Sequence, residues 1–322
     1  MKKLTALILA LMVLSTLGGS FAAEKTYRIG IAQFAVHGSL DNCREGFIQG
    51  LAEAGFKEGV NLVIDYQNAQ ADMGIAASIA SAFVDTQVDL ICAIATPMAV
   101  VSNNTSDGKI PVIYSAVSAP IEAGLANAQR LGEGNTTGTS DLLPVRQQLE
   151  TIRAMQPEAK VIGILYTLGE INSQVQLGLY QEMAGEFGFT VEPSGISAGP
   201  DIALALPSLL GKVDLLTMLT DNTVVQYLDT VLDAADAAKI PVYGSEVEQV
   251  VRGCVAAEGL DYIALGRQTG ALAARVLGGE DAAGIPFELI QESALYYNTA
   301  ACQALGLTLP DELLARGQEA GK

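Results

Sequence analysis

Short apolar runs alternate with stretches of helical spacing along most of this chain. "YRIGIAQF" reads as a strand, and "DNCREGFIQGLAEAGF" carries apolar residues at helical spacing up to Gly55. "NLVIDYQ" is the next strand, followed by a helix over Ile75–Val84, the strand "VDLICAIA", a further helix and the strand "IPVIYSAV". A second series opens at "VIGILY", with a helix from about Asn172 to Phe187 and the strand "TVEPSGI". A helix over Ile202–Leu210, "VDLLTMLT", a helix over Val224–Ala238 and "IPVYGSE" complete it. Strands apolar on both faces, each followed by a helix, predict an α/β fold with parallel sheets.

The second series repeats the first. Ile29-Gly30-Ile31 matches Ile162-Gly163-Ile164 at an offset of 133 residues, and Phe56 matches Phe189 at the same offset. Val88-Asp89-Leu90 matches Val213-Asp214-Leu215 at 125, and Ile110-Pro111-Val112 matches Ile240-Pro241-Val242 at 130. Each match alone is weak, and generic βαβ units could share it by chance, but the common order argues for two similar doubly wound lobes. "GNTTGTSDLLP", "GCVAAEGLDYIALGRQTGALAARVLGGE" and "PFELIQESALYYN" fall outside the repeat. They predict a strand passing between lobes, a strand with a long helix, and a late strand, so the lobes are joined by a multi-crossover hinge. The expected division is residues 23–140 for the first lobe, completed by part of 258–284. Residues 141–257 form the second lobe, and 285–322 hold the late strand and tail.

The N-terminus changes the picture of where the protein works. Lys2 and Lys3, a short apolar run and small residues up to Ala22 and Ala23 form the pattern of a secretory signal peptide over residues 1–22. No Cys ends that run, which disfavours a lipid anchor and predicts an exported, soluble mature chain. The 18 basic residues face 36 acidic ones, a net charge of −18 that becomes −20 without Lys2 and Lys3. Such a charge repels phosphate backbones, so nucleic acid is a poor partner. Cys43, Cys92, Cys254 and Cys302 lack metal-ligand spacing, and sequence leaves their disulfide state open, a Cys43–Cys302 pair included.

Ligands of open parallel sheets bind beyond the carboxyl ends of the strands. The repeat places polar residues at equivalent strand ends: Thr96 eight residues after Val88 and Asp221 eight after Val213, Ser115 five after Ile110 and Ser245 five after Ile240. Gln33 and Tyr166 stand at a third matched pair, with Phe34 beside Gln33 and Asn222 beside Asp221. Asn172 and Ser173 open a helix directly after a strand, where free N–H groups attract anions. Each of the Ser, Thr and Asp residues would serve equally as a local helix cap. As matched pairs facing a cleft they form a candidate ligand-binding set: Gln33, Phe34, Thr96, Ser115, Tyr166, Asn172, Ser173, Asp221, Asn222 and Ser245.

Enzyme chemistry finds little support. The single His, His37, reads as a surface or cleft-rim residue, and there is no Walker loop, no GxGxxG after the first strand and no Ser elbow. The expectation is a binding protein with neither cofactor nor metal.

The motifs "GIAQF", "GFIQGLAEAGFKEG", "IDYQNAQAD", "VDLICAIATP", "IPVIYSAVSAPIEAGL", "GNTTGTSDLLP", "LTDNTVV" and "LGRQTG" closely resemble the ABC-transporter substrate-binding proteins of the tryptophan/phenylalanine-binding group. The resemblance spans essentially the whole mature chain. It implies a type I periplasmic-binding-protein fold that closes on its ligand, a periplasmic or extracellular location, and a separate ABC permease and ATPase as partners of a monomer. An aromatic or large apolar amino acid is the implied ligand. Its ammonium would then pair with Asp221 and its carboxylate with Thr96 and Ser115, while Phe34, Tyr114 and Tyr166 are placed to hold its side chain or to fill the core. A sugar ligand is weakened by the absence of Trp. A purine ligand, or a binding module that feeds a sensor instead of a permease, stays open as an alternative.

Overall fold

The structure, a computed structural model, describes residues 25–290 and 293–320. The expected leader at residues 1–22 lies outside the described residues. The first sheet contains β1 (Tyr27–Gln33), β2 (Leu62–Asn68), β3 (Leu90–Ile94), β4 (Val112–Ser115), β5 (Thr136–Ser140) and the short β11 (Glu288–Leu289). Its strand order is β11-β5-β4-β3-β1-β2, and every pairing in it is parallel. The central strands β3 and β4 are buried at every position, whereas the edge strand β2 is half exposed. Helices on both faces of the sheet produce that difference, and it is why the central strands read as unbroken apolar runs.

The second sheet has β6 (Val161–Thr167), β7 (Thr190–Ile196), β8 (Leu215–Thr217) and β9 (Val242–Tyr243) in the order β7-β6-β8-β9, again parallel. Hydrogen bonds from Val255 N to Val242 O and from Gly244 N to Ala256 O extend it to β10 (Ala256–Leu260). Then follow β12 (Ser293–Tyr297), antiparallel to β10, and β13 (Gln318–Glu319). The chain passes between the sheets after β5, between β10 and the helix that follows it, and between β11 and β12. The late segment expected as one strand is therefore two, one in each sheet.

Helices α1 (Gly38–Glu53), α2 (Met73–Asp85), α3 (Thr96–Ser106), α4 (Val145–Met155), α5 (Ile171–Met183) and α6 (Ile202–Leu210) link the strands. After them come α7 (Asn222–Gln226), α8 (Leu228–Ala238), α9 (Val247–Arg252), α10 (Tyr262–Leu277), α11 (Thr299–Ala304) and α12 (Asp311–Arg316). Caps set several starts: Asp72, Asp221, Asp261 and Asn298 each accept a backbone N–H three residues on. The single helix expected over Val224–Ala238 is broken at Tyr227, whose ring lies so close to Gly199 that a Cβ there would meet it at 2.1 Å.

The repeated Ile-Gly-Ile has a packing cause. A Cβ on Gly30 would lie 2.5 Å from the ring of Phe83 on α2, and one on Gly163 would lie 2.6 Å from Leu216. In both lobes the first strand lacks a side chain where a neighbour needs the space. All four cysteines are free and buried: Cys43 and Cys92 in the first-lobe core, Cys302 and Cys254 in the two clusters of the second lobe. Cys43 and Cys302 thus belong to separate cores and do not pair. Among the described residues no helix is long and apolar enough to cross a membrane.

Candidate functional site

The carboxyl ends of β1, β3, β4 and β5 face those of β6, β8 and β9 across a closed cleft. Closure is visible in direct bonds between lobes. Ser118 Oγ, after β4, lies 3.0 Å from Thr220 Oγ1, after β8. Ser39 Oγ on α1 lies 2.5 Å from Glu246 and 3.0 Å from Glu248, and Asn42 donates to Glu248 at 2.6 Å.

On the first-lobe side, Thr96 opens α3. Its hydroxyl is buried without a hydrogen-bond partner, and because Pro97 has no N–H and Ala99 N bonds to Ala95 O, the N–H groups of Thr96 and Met98 are the first-turn donors with no intrahelical acceptor. Ala95, the residue before it, has φ 81°, and Ala116 after β4 has φ 55°. Positive φ in alanine costs of order 1 kcal/mol or more, and two such residues at adjacent strand ends mark a backbone shaped for something other than its own comfort. An unpaired hydroxyl at a helix N-terminus suits a carboxylate.

Two acids supply the opposite charge. Asp141, directly after β5, accepts from Ser118 Oγ at 2.9 Å and from the Tyr262 hydroxyl at 2.9 Å. Glu246 comes from the other lobe, beside Ser39, Tyr262 and Asp141. Burial raises the pKa of Asp141. Burial, then repulsion from Glu248, pushes Glu246 up to about 8. Neither acid forms an ion pair with Lys, Arg or His among the described residues. Each oxygen of Asp141 takes one donor, so acceptor positions remain on both. Buried carboxylates with spare lone pairs and no cation beside them have the chemistry to take up an ammonium.

Asp221 is placed differently from expectation. It is fully buried and takes four donors from its own lobe. Thr167 N and Val224 N donate at 2.6 and 2.8 Å, and the hydroxyls of Thr167 and Ser173 both donate at 2.7 Å. Four donors fill two carboxylate oxygens, which leaves none for an ammonium. The cap reading describes it better. Glu170 beside it, missed in the sequence, likewise accepts from the backbone and side chains of Asn222 and Thr223 and from Asn172. Burial raises the pKa of both acids.

Ser115 is also corrected: its hydroxyl lies 2.9 Å from Thr269 Oγ1 on α10, within the core, and that threonine also meets Thr139. The neighbouring Ser118 takes the cleft position instead. Gln33 is buried and spent on the loop after β1 and the start of α1, donating to Ala35 O and Asp41 while accepting from Arg44. Phe34 is buried in the first-lobe core cluster, and so is Tyr114, whose hydroxyl has no partner. Tyr166 packs against the second-lobe cluster, its ring 3.3 Å from where a Cβ on Gly195 would stand. Ser245, ahead of α9, bonds to Gln249 within it. Asn172 holds Thr220 O through Nδ2, and its buried Oδ1 is unpartnered, as Thr96 is. Gln176, also missed, clamps Thr220 by accepting its N–H and donating to its hydroxyl.

The cleft that emerges contains Thr96, Ser118 and Asp141 from one side and Asn172, Thr220 and Glu246 from the other. Of the expected residues it keeps Thr96 and Asn172 and uses Ser173, Asp221 and Asn222 as the scaffold behind them. Among the described residues no cluster of His, Cys, Asp and Glu is arranged to hold a metal.

The chain is similar to known substrate-binding proteins. A "Tyrosine-binding protein" of Clostridioides difficile is 39% identical over 285 residues, covering 88% of this chain and 82% of that protein. An ABC domain from Streptococcus pneumoniae solved in complex with L-Trp superposes with a TM-score of 0.89 at 33% identity, over 92% of this chain and 99% of that one. The ligand-free, open structure of a substrate-binding protein with adhesive properties from Clostridium difficile is 37% identical and covers 92% and 100%, yet its TM-score is 0.69. The chain superposes better on the L-Trp complex than on the ligand-free, open structure, although it is slightly more identical in sequence to the latter. Residues 28–320 match the family described as ABC transporter substrate binding protein. The chain belongs to the ABC transporter substrate-binding protein family.

Proposed function

We propose that this chain captures an aromatic L-amino acid outside the cytoplasm and hands it, as a monomer, to a membrane permease driven by a separate ATPase. The relatives that bind tyrosine and L-Trp support the ligand class, and the leader pattern at residues 1–22 supports export. The observation that carries the reading is the pair Asp141 and Glu246, buried, without a cation, in the same cleft as the unpartnered Thr96 hydroxyl at the start of α3. An amino acid is the small molecule with an ammonium for the first and a carboxylate for the second.

Titration calorimetry on the purified chain tests this with L-tyrosine, L-tryptophan and L-phenylalanine, with glucose and adenine as controls. The aromatic acids bind and the controls do not. The pH dependence follows from Glu246. Its pKa in the closed protein is raised to about 8, so near neutrality it carries a proton that an arriving ammonium must displace. Binding therefore releases a proton below pH 8, and affinity falls as pH drops from 8 to 6, by up to about tenfold per unit. Glu246→Gln removes the part of that dependence that Glu246 carries and weakens binding by about 2–5 kcal/mol. A variant that binds as tightly as the parent, with the same pH profile, would remove Glu246 from the site.

A further inference from the structure

His37 stands at the position before α1, but its side chain makes no capping bond. It is 8% exposed, and neither ring nitrogen meets a partner in good hydrogen-bond geometry, the side chain of Asn222 across the cleft being the group close enough to raise its pKa in that way. A buried imidazole with both polar atoms unused costs free energy unless something else meets them. The groups that bear on it are Asn222 at the start of α7 across the cleft, Asp41 on its own helix and Arg252 on α9. Burial is the strongest influence and lowers its pKa to about 4. The ring is therefore neutral at physiological pH, with one nitrogen donating and the other accepting. It lines a cavity of about 230 Å³ between the lobes, together with Ser39, Glu246 and Gln249, and Val225 and Val251 supply an apolar wall.

We infer that His37 is a specificity-determining residue that hydrogen-bonds a polar atom on the ligand's ring, the phenol hydroxyl of tyrosine or the indole N–H of tryptophan. The inference rests on the aromatic amino-acid reading and deepens it. Its logic is positional. His37 shares its cavity with Glu246, the proposed partner of the ammonium, so a ligand anchored there extends its side chain along the same space. The valines accept the ring's apolar body, and the imidazole is the unsatisfied polar group on that wall. A phenol satisfies either nitrogen, whereas an indole N–H satisfies only the accepting one. Phenylalanine satisfies neither and leaves the imidazole unpaired, which is the arrangement that discriminates most strongly between otherwise similar ligands.

Calorimetry with tyrosine, tryptophan and phenylalanine on the unaltered protein, His37→Phe and His37→Gln tests the inference. The unaltered protein binds tyrosine, tryptophan or both at least roughly tenfold more tightly than phenylalanine. His37→Phe collapses that ratio towards one, and His37→Gln, which keeps a donor and an acceptor, restores part of it. Loss of the ratio for tyrosine alone identifies the phenol as the atom read, and loss for tryptophan alone identifies the indole. Thermal melting of each variant shows that it is folded. Equal binding of all three ligands by the unaltered protein, or a ratio that survives in His37→Phe, overturns the inference and leaves the aromatic reading standing. Failure of all three to bind the unaltered protein overturns both.

Discussion

Asp221 and Glu246 are both buried acids near the closed cleft, and their donor counts assign them opposite roles. Asp221 holds together the ends of β6 and β8 and the first turns of α5 and α7 through four bonds. Asp221→Asn replaces one acceptor oxygen with an NH₂ group, which faces donors that then lose their partner. We expect it to destabilise the fold by about 1–3 kcal/mol in denaturant titrations, with a smaller effect on ligand affinity than Glu246→Gln. Unchanged stability with lost affinity would return the ammonium to Asp221. Matching strand ends between the repeats places Thr96 and Asp221 at strand ends, where the structure also has them. It could not separate a saturated carboxylate from a free one, because three of the donors to Asp221 come from Thr167 and Ser173, about 50 residues away. Asp141 was hidden for another reason: it lies in "GNTTGTSDLLP", outside the repeat that guided the matching.

At the scale of elements, the contact that builds one wall of the cleft is between α1 and α10. A Cβ on Gly46 would stand 2.1 Å from Ile263 O, and one on Gly50 would stand 2.3 Å from Arg267 O. In return, Cβ atoms on Gly266 and Gly270 would meet Cys43 O at 2.2 Å and Phe47 O at 2.4 Å. Two glycine pairs at helical spacing thus bring the backbones into direct contact. Helix α10 begins beside the crossover from β10 and places Tyr262 on Asp141, while α1 begins at His37 and Ser39. Gly266→Ala forces those helices apart, and we expect a stability loss of about 1–3 kcal/mol or more by chemical denaturation, with weaker ligand binding. Stability equal to the parent's would show that the helices adjust freely. The glycine spacings are plain in "GFIQGLAEAGF" and "LGRQTG", but nothing local pairs segments more than 200 residues apart.

For the whole molecule, two lobes were legible because parallel strands covered on both faces must be apolar throughout, and because the Ile-Gly-Ile, Val-Asp-Leu and Ile-Pro-Val runs recur in one order. The binding cleft was less legible because it is assembled by closure. Ser118 meets Thr220, and Ser39 meets Glu246, only when the lobes come together, and no local pattern encodes such meetings. The central claim is that an aromatic amino acid lies in that closed cleft with its ammonium on Asp141 and Glu246 and its carboxylate at the start of α3. A crystal structure of the chain with bound L-tyrosine or L-tryptophan tests it most directly. The account predicts the ligand nitrogen within about 3 Å of Asp141 and Glu246 and the ligand carboxylate within hydrogen-bonding reach of Thr96 and the N–H of Met98. A ligand nitrogen bonded to Asp221, or a carboxylate bound away from α3, would contradict it.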